Sequence, residues 1–226
     1  ELCAAFIAAL PDGWTVYAET AGWDILLVRA DGIQVGIEAK LRLNLEVVEQ
    51  ACVTRQGSLS GPDYRAVLTP GGCGVLPERL SAITGITHIR MWHRGPEPGL
   101  PGADPFSRYN DPRIWHDWAP ERREPLPEYV PDVVAGDSSP IQLSEWQVAA
   151  LRIIALIERF GSVARADFRA LGISPSRWLT PDGWLARTDT KGQFAVGPRC
   201  PDFKAQHPVV YPQIVADLDT WCPAHR

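Results

Sequence analysis

Apolar positions change period in a fixed order along the first ninety residues. Residues 1–10 carry theirs at helical spacing and predict an amphipathic first helix. Residues 14–18, 25–28 and 33–37 are short runs of β-branched and aliphatic side chains, and each reads as a strand. Between the second and third lies Asp31-Gly32, a hairpin-turn pair, because glycine accepts the positive φ that a tight turn needs. Residues 45–53 return to helical spacing, with Asn44 as N-cap and Val47, Val48 and Ala51 on one face. A strand at 64–69, a Gly71-Gly72-Cys73-Gly74 loop, a helix at 76–83 opened by Pro77 and a strand at 86–92 complete the series. The order is α-β-β-β-α-β with one extra helix, an α/β arrangement.

The pattern stops at residue 94. Ten of the chain's 21 prolines fall between Pro96 and Pro140, a density that forbids regular helix and strand interiors. Such a stretch is usually a semi-rigid linker. Yet Phe106, Tyr109, Trp115, Trp118 and Tyr129 are too many aromatics for a solvated spacer, so packing onto a surface, or shaping a substrate groove, is expected. Periodicity resumes at Ser144, which caps a helix over 145–160 ended by Gly161. A second short helix at 164–171 has Gly172 after it, and Ser174-Pro175 opens an expected third helix through Leu179. Residues 184–188 and 193–196 then form a hairpin pattern around a turn at 189–192. The expected division is therefore 1–93, a connector at 94–143, and 144–226.

Composition narrows the class. An apolar content of 45% and a charged content of 22% are those of a globular protein, and no apolar run reaches the length of a membrane span. The cysteines at 3, 52, 73, 200 and 222 never fall as Cys-x-x-Cys, which argues against a zinc knuckle or a disulfide framework and suggests a reducing, cytoplasmic setting. The dispersed histidines show no zinc spacing either. The net charge of −5 is unusual for a nucleic-acid enzyme, but it is unevenly spread, and basic residues outnumber acidic ones between Arg159 and Lys204.

The chemistry concentrates in residues 23–40. The hairpin holds Asp24, at the start of one strand, near Glu38 and Lys40 at the end of its partner. Glu38 and Lys40 are two apart and share a face. Two carboxylates and an ammonium at one spot suit metal-assisted phosphodiester hydrolysis: Mg²⁺ prefers carboxylate oxygens and keeps positions free for a phosphate. The bland alternative is ordinary exposed charges at strand ends, with Asp31 a turn residue.

These residues resemble the PD-(D/E)xK superfamily of restriction-endonuclease-like nucleases over roughly residues 1–93, although Trp23 stands where the family name has Pro. The resemblance implies a restriction-endonuclease-like αβββαβ core, with Asp24 and Glu38 as ligands of Mg²⁺ or Mn²⁺ and Lys40 as the catalytic lysine. It also implies one more metal-site carboxylate, for which Glu1 on the first helix and Glu19 after the first strand compete. Gln50, on the helix after Glu-x-Lys, is either a supporting catalytic residue or a solvated helix position.

Three helices and a hairpin in the last region resemble a small α+β winged-helix domain. There Arg177 would lie on the recognition helix, Arg165 and Arg169 on the helix before it, and Arg187 and Lys191 on the wing, all as candidate nucleic-acid contacts. Winged helices also bind proteins, and helix-turn-helix geometry can serve only to close a core. The leading expectation is a metal-dependent endodeoxyribonuclease acting on duplex DNA, with no membrane partner and with a homodimer or protein partner open. A non-hydrolytic nucleic-acid- or protein-binding scaffold, as in a phage or defence system, is the alternative. A winged-helix regulator with an α/β ligand domain would leave Asp24, Glu38 and Lys40 unexplained.

Overall fold

The Asp31-Gly32 turn closes as its residues dictate. Gly32 takes φ +87°, its N–H donates to the Arg29 carbonyl at 2.8 Å, and Arg29 N–H reaches Ile33 O at 2.8 Å. The computed structural model describes residues 1–52, 60–74, 76–102, 111–136, 143–176, 178–180 and 183–224. The chain divides into two units, Glu1–Glu128 with Val133–Pro140, and Tyr129–Asp132 with Ile141–Arg226.

The first unit is a mixed sheet in sequential order: β1 (Trp14–Thr20), β2 (Trp23–Arg29), β3 (Gln34–Ala39), β4 (Tyr64–Pro70), β5 (Thr87–Trp92) and β6 (Gly95–Glu97). β1–β2 and β2–β3 are antiparallel, β3–β4 and β4–β5 parallel, and β5–β6 antiparallel. Parallel pairs need crossovers, which α2 (Leu45–Cys52) and α3 (Glu78–Thr84) supply. Asn44 caps α2 as expected, its Oδ1 accepting Val47 N–H at 2.9 Å. Helix α3 begins after Pro77 rather than at Leu76, with Pro77 as its N-cap.

Alternation along the strands makes two apolar faces. Cys3 and Phe6 of α1 (Leu2–Ala8) pack with Ile25, Leu27, Val35 and Ile37; Val47, Val48 and Ala51 of α2 pack with Trp23, Leu26 and Val67. Trp23 and Leu26 share a cluster although they are three apart, so β2 departs from two-residue alternation at its start. Gly36 explains the departure: a Cβ there would lie 2.5 Å from the Trp23 ring, so the indole lies flat on the glycine.

Most of the proline-rich stretch belongs to the first unit, and it contributes Leu100, Trp115 and Ala135 to that unit's core. Trp115 is 2% exposed beside α1's cluster and donates its indole N–H to the Gly99 carbonyl at 3.0 Å. Further on, Gln34 and Glu124 exchange side-chain–backbone hydrogen bonds at 3.0 and 2.8 Å, and Arg123 pairs with Asp63 at 2.8 Å. Side-chain bonds to backbone thus replace the ladders that proline denies. Phe106 and Tyr109 lie outside the described residues.

The second unit is built on α4 (Glu145–Phe160), whose Ser144 and Gln147 form a capping box and whose Gly161 takes φ +80°. β7 (Val163–Ala164), α5 (Arg165–Ala170), β8 (Leu185–Arg187) and β9 (Gln193–Val196) follow, with the three strands in the order β7-β9-β8. The expected third helix at 174–179 does not form among the described residues. Ser174 Oγ takes the Ser176 N–H at 3.3 Å, a local bond that competes with helix, and Leu179 N–H to Pro175 O closes a single turn. Pro181 two residues later forbids extension. Three short helices, α6 (Phe203–Gln206), α7 (Val210–Ala216) and α8 (Leu218–Trp221), close the core. No described helix is long and apolar enough to cross a membrane.

Candidate functional site

The β2–β3 ladder ends at the pair Ile25↔Ile37, which leaves Asp24 opposite Glu38 in register. The next ladder N–H, on Ala39, is not taken by a strand carbonyl. Asp24 Oδ2 accepts it at 2.7 Å. The sheet therefore splays here, and a carboxylate is seated on the middle residue of Glu38-Ala39-Lys40. On the other side of β3, Lys40 N–H donates to Leu68 O at 3.0 Å, which fixes the Lys40 backbone between its neighbours. The Asp24 and Lys40 side chains are half-buried, while Glu38 is 8% exposed.

Glu38 lines a cleft of about 460 Å³ together with the β1–β2 turn at Ala21–Trp23, and with Glu46, Glu49 and Gln50 of α2, Ser60, Arg65 and Glu124. Asp24 and Lys40 stand outside that lining, because the Trp23 stack on Gly36 turns Asp24 toward the edge of β3. Arg65 is the cation among the described lining residues. It is 4% exposed, its guanidinium carbon lies 4.0 Å from the Trp118 ring centre, and Nη1 donates to the Cys52 carbonyl at 2.8 Å, at the C-terminus of α2. Burial lowers its pKa from the ordinary guanidinium value. Sequence reading missed Arg65, although a basic residue inside the apolar strand 64–69 was the available signal.

Glu1 and Glu19 have different fates. Glu19 lies inside β1 rather than after it, at φ +48°, a strained value for a residue with a side chain. Its Oε1 accepts the Gly136 N–H at 2.7 Å. Glu1 is the exposed N-cap of α1. Asp24 and Glu19 both bear on the first turn of α1: the Cys3 thiol is pushed up first by burial, then by Asp24, and also by Glu19. Carboxylates therefore gather around that turn, but among the described residues no three His, Cys, Asp or Glu side chains are already placed as a metal-ligand set. The donor chemistry suits a hard cation nonetheless. Mg²⁺ needs only one or two carboxylates, with waters and substrate phosphates filling the remaining positions.

In the second unit, Arg165, Arg169, Arg187 and Lys191 all lie at the surface, the first two on α5, Arg187 at the end of β8 and Lys191 in the β8–β9 turn. Arg177 lies outside the described residues. No family model, curated protein or solved structure matches this chain.

Proposed function

We propose that the protein is a divalent-metal-dependent nuclease that hydrolyses DNA phosphodiester bonds. The observation that carries this reading is the seating of Asp24 on the backbone of Glu38-Ala39-Lys40. The strand order supports it as well: antiparallel, antiparallel, then parallel, with α1 packed on one face and α2 on the other, is the arrangement that a restriction-endonuclease-like αβββαβ core requires. A bound Mg²⁺ or Mn²⁺ would be held by Asp24 and Glu38, and would supply acidification of a water and charge neutralisation at the phosphate. Lys40 orients the attacking water or takes its proton, and its ammonium offsets charge on the pentacovalent phosphorus. Gln50, across the cleft from Glu38, supports that geometry. The acidic lining of Glu38, Glu46, Glu49 and Glu124 repels bare phosphate and attracts a divalent cation, so substrate enters only with metal.

The sheet order β7-β9-β8 beneath α4 and α5 supports a winged-helix module in the second unit, with Arg187 and Lys191 on its wing. The shortened third helical segment gives this module little to insert into a groove, so it meets phosphates rather than base edges. A non-hydrolytic scaffold is favoured by a different observation: Glu38 lines the cleft on the α2 side, whereas Asp24 stands outside that lining and bears on Cys3 of α1.

One experiment separates the readings. Duplex DNA is expected to be cut in Mg²⁺ or Mn²⁺ and not in excess EDTA. Arg187→Ala with Lys191→Ala is expected to raise KM and to reduce the salt slope by about two, one for each cationic side chain removed from a phosphate. Binding without cleavage in either metal would favour the scaffold.

A further inference from the structure

A second polar group lies in the same sheet, away from the cleft. Thr69 on β4 is wholly buried, and His88 on β5 is 9% exposed. His88 Nε2 lies 2.9 Å from Thr69 Oγ1, which itself donates to the Pro70 carbonyl at 3.2 Å. At the other end of the imidazole, Leu76 N–H donates to Nδ1 at 3.1 Å. A ring nitrogen that accepts a hydrogen bond carries no proton. Nδ1 is therefore bare, the proton sits on Nε2, and Thr69 accepts it because its own hydrogen is already given to Pro70. These bonds fix a neutral imidazole in one tautomer. Protonating Nδ1 would set N–H against N–H at Leu76.

The bonds also tie distant parts of the chain together. Leu76 follows the Gly71–Gly74 turn that links β4 to α3. Within that turn, the Cys73 thiol donates to the Leu41 carbonyl at 3.2 Å, immediately after Lys40. Lys40 N–H bonds Leu68 O, so Lys40 and Thr69 are neighbours across the β3–β4 pair. We propose that His88 and Thr69 are positioning residues for Lys40: the neutral imidazole pins Leu76, and with it the β4–α3 turn, against the end of β3. The part that concerns Lys40 rests on the nuclease reading; the latch itself does not.

The latch is acid-sensitive. Burial, and after it the Arg90 guanidinium on the same strand, lower the His88 pKa from its ordinary 6.5. Arg113, Asp111 and His116 of the proline-rich stretch line the same cavity as His88, and α3 contributes the uncharged Ser81 there. On the far side of β4, β3 carries Glu38, with Lys40 just beyond its end. A basic group whose pKa is depressed in the closed form holds that form above its open-form value and releases it as pH falls through the closed-form value. The turn is thus held at neutral pH and freed in acid.

Hydrogen exchange of the Leu76 amide, corrected for intrinsic rate, reads the latch without any need for activity. In the wild type, protection is expected to fall by up to about tenfold per pH unit below about pH 6.5, as one proton is linked to opening. His88→Asn keeps an acceptor for Leu76 and cannot titrate, so its protection should not change over the same range. Thr69→Ser should behave as the wild type and Thr69→Val should lose protection at all pH values, a pair that decides the matter if the His88 variant does not fold. Wild-type protection independent of pH, or the same slope in His88→Asn, would overturn the latch. Cleavage then tests positioning: His88→Asn should remove the acid limb of the kcat profile while retaining activity near pH 8. An unchanged acid limb would overturn the role toward Lys40 even with the latch intact. A wild type that cuts at no pH would overturn the nuclease reading and that role together, and the exchange result would still decide the latch.

Discussion

Lys40→Ala is expected to lower DNA cleavage by about 10²–10⁴-fold, the usual share of a positioned acid–base group, with little change in affinity for uncut DNA. The side chain can be removed without disturbing the sheet, since what holds residue 40 in place is its backbone N–H on Leu68 O. In the proposed reaction the half-buried ammonium would act on charge that develops only as the phosphate is attacked, so its removal should fall on kcat rather than on binding. Glu38→Ala should show the same drop and also a higher metal concentration for half-maximal rate. Lys40→Ala should keep the wild-type unfolding midpoint within a few degrees, because its half-buried side chain takes no apolar packing out of the core. Steady-state cleavage of a defined duplex across a Mg²⁺ series checks this. Wild-type rates in both variants would place the chemistry elsewhere.

How much of this site the sequence disclosed depends on how local the information was. The Asp31-Gly32 turn, the Asn44 cap and the Ser144 cap are set by neighbouring residues, and the structure forms all of them. The strands on either side of the hairpin were equally readable. The direction of Asp24 was not, because it depends on a long-range fit between Trp23 and the bare Cα of Gly36, which breaks the alternation at the start of β2. The same holds for Glu19, whose carboxylate is taken by Gly136, more than a hundred residues away. Arg65, Thr69 and His88 were hidden in strands read as apolar. In the second unit the error ran the other way. Ser174-Pro175 is a helix-start signal, but Pro181 leaves room for one turn only, and the two-residue β7 is too short to carry any pattern. Helix α7 accepts Pro212 because it lies in the first turn, where no intrahelical donor is lost.

Trp178→Ala is expected to destabilise the second unit by about 3–5 kcal/mol, the range for removing a large buried aromatic side chain. Trp178 has no solvent exposure. It stacks on Phe203 at 5.9 Å and meets Trp184 and Phe168 edge to face at 5.0 and 5.6 Å, so one side chain joins the turn after α5, the β8 hairpin and α6. Its indole N–H has no hydrogen-bond partner among the described residues. Trp178→Phe therefore gives up volume but no bond and should cost much less, within about 1.5–2 kcal/mol. Urea unfolding followed by exchange of peptides from 145–160 distinguishes the two. Equal destabilisation by Phe and Ala would mean that the N–H has a partner whose removal matters.

If Asp24 and Glu38 hold a catalytic cation at the splayed end of β2 and β3, the anomalous scattering of Mn²⁺ in crystals of the full chain reports it. The expected result is a peak within coordination distance of one carboxylate oxygen from Asp24 and one from Glu38, abolished by Glu38→Ala. A peak at another site, or none at a Mn²⁺ concentration that supports cleavage, would contradict it.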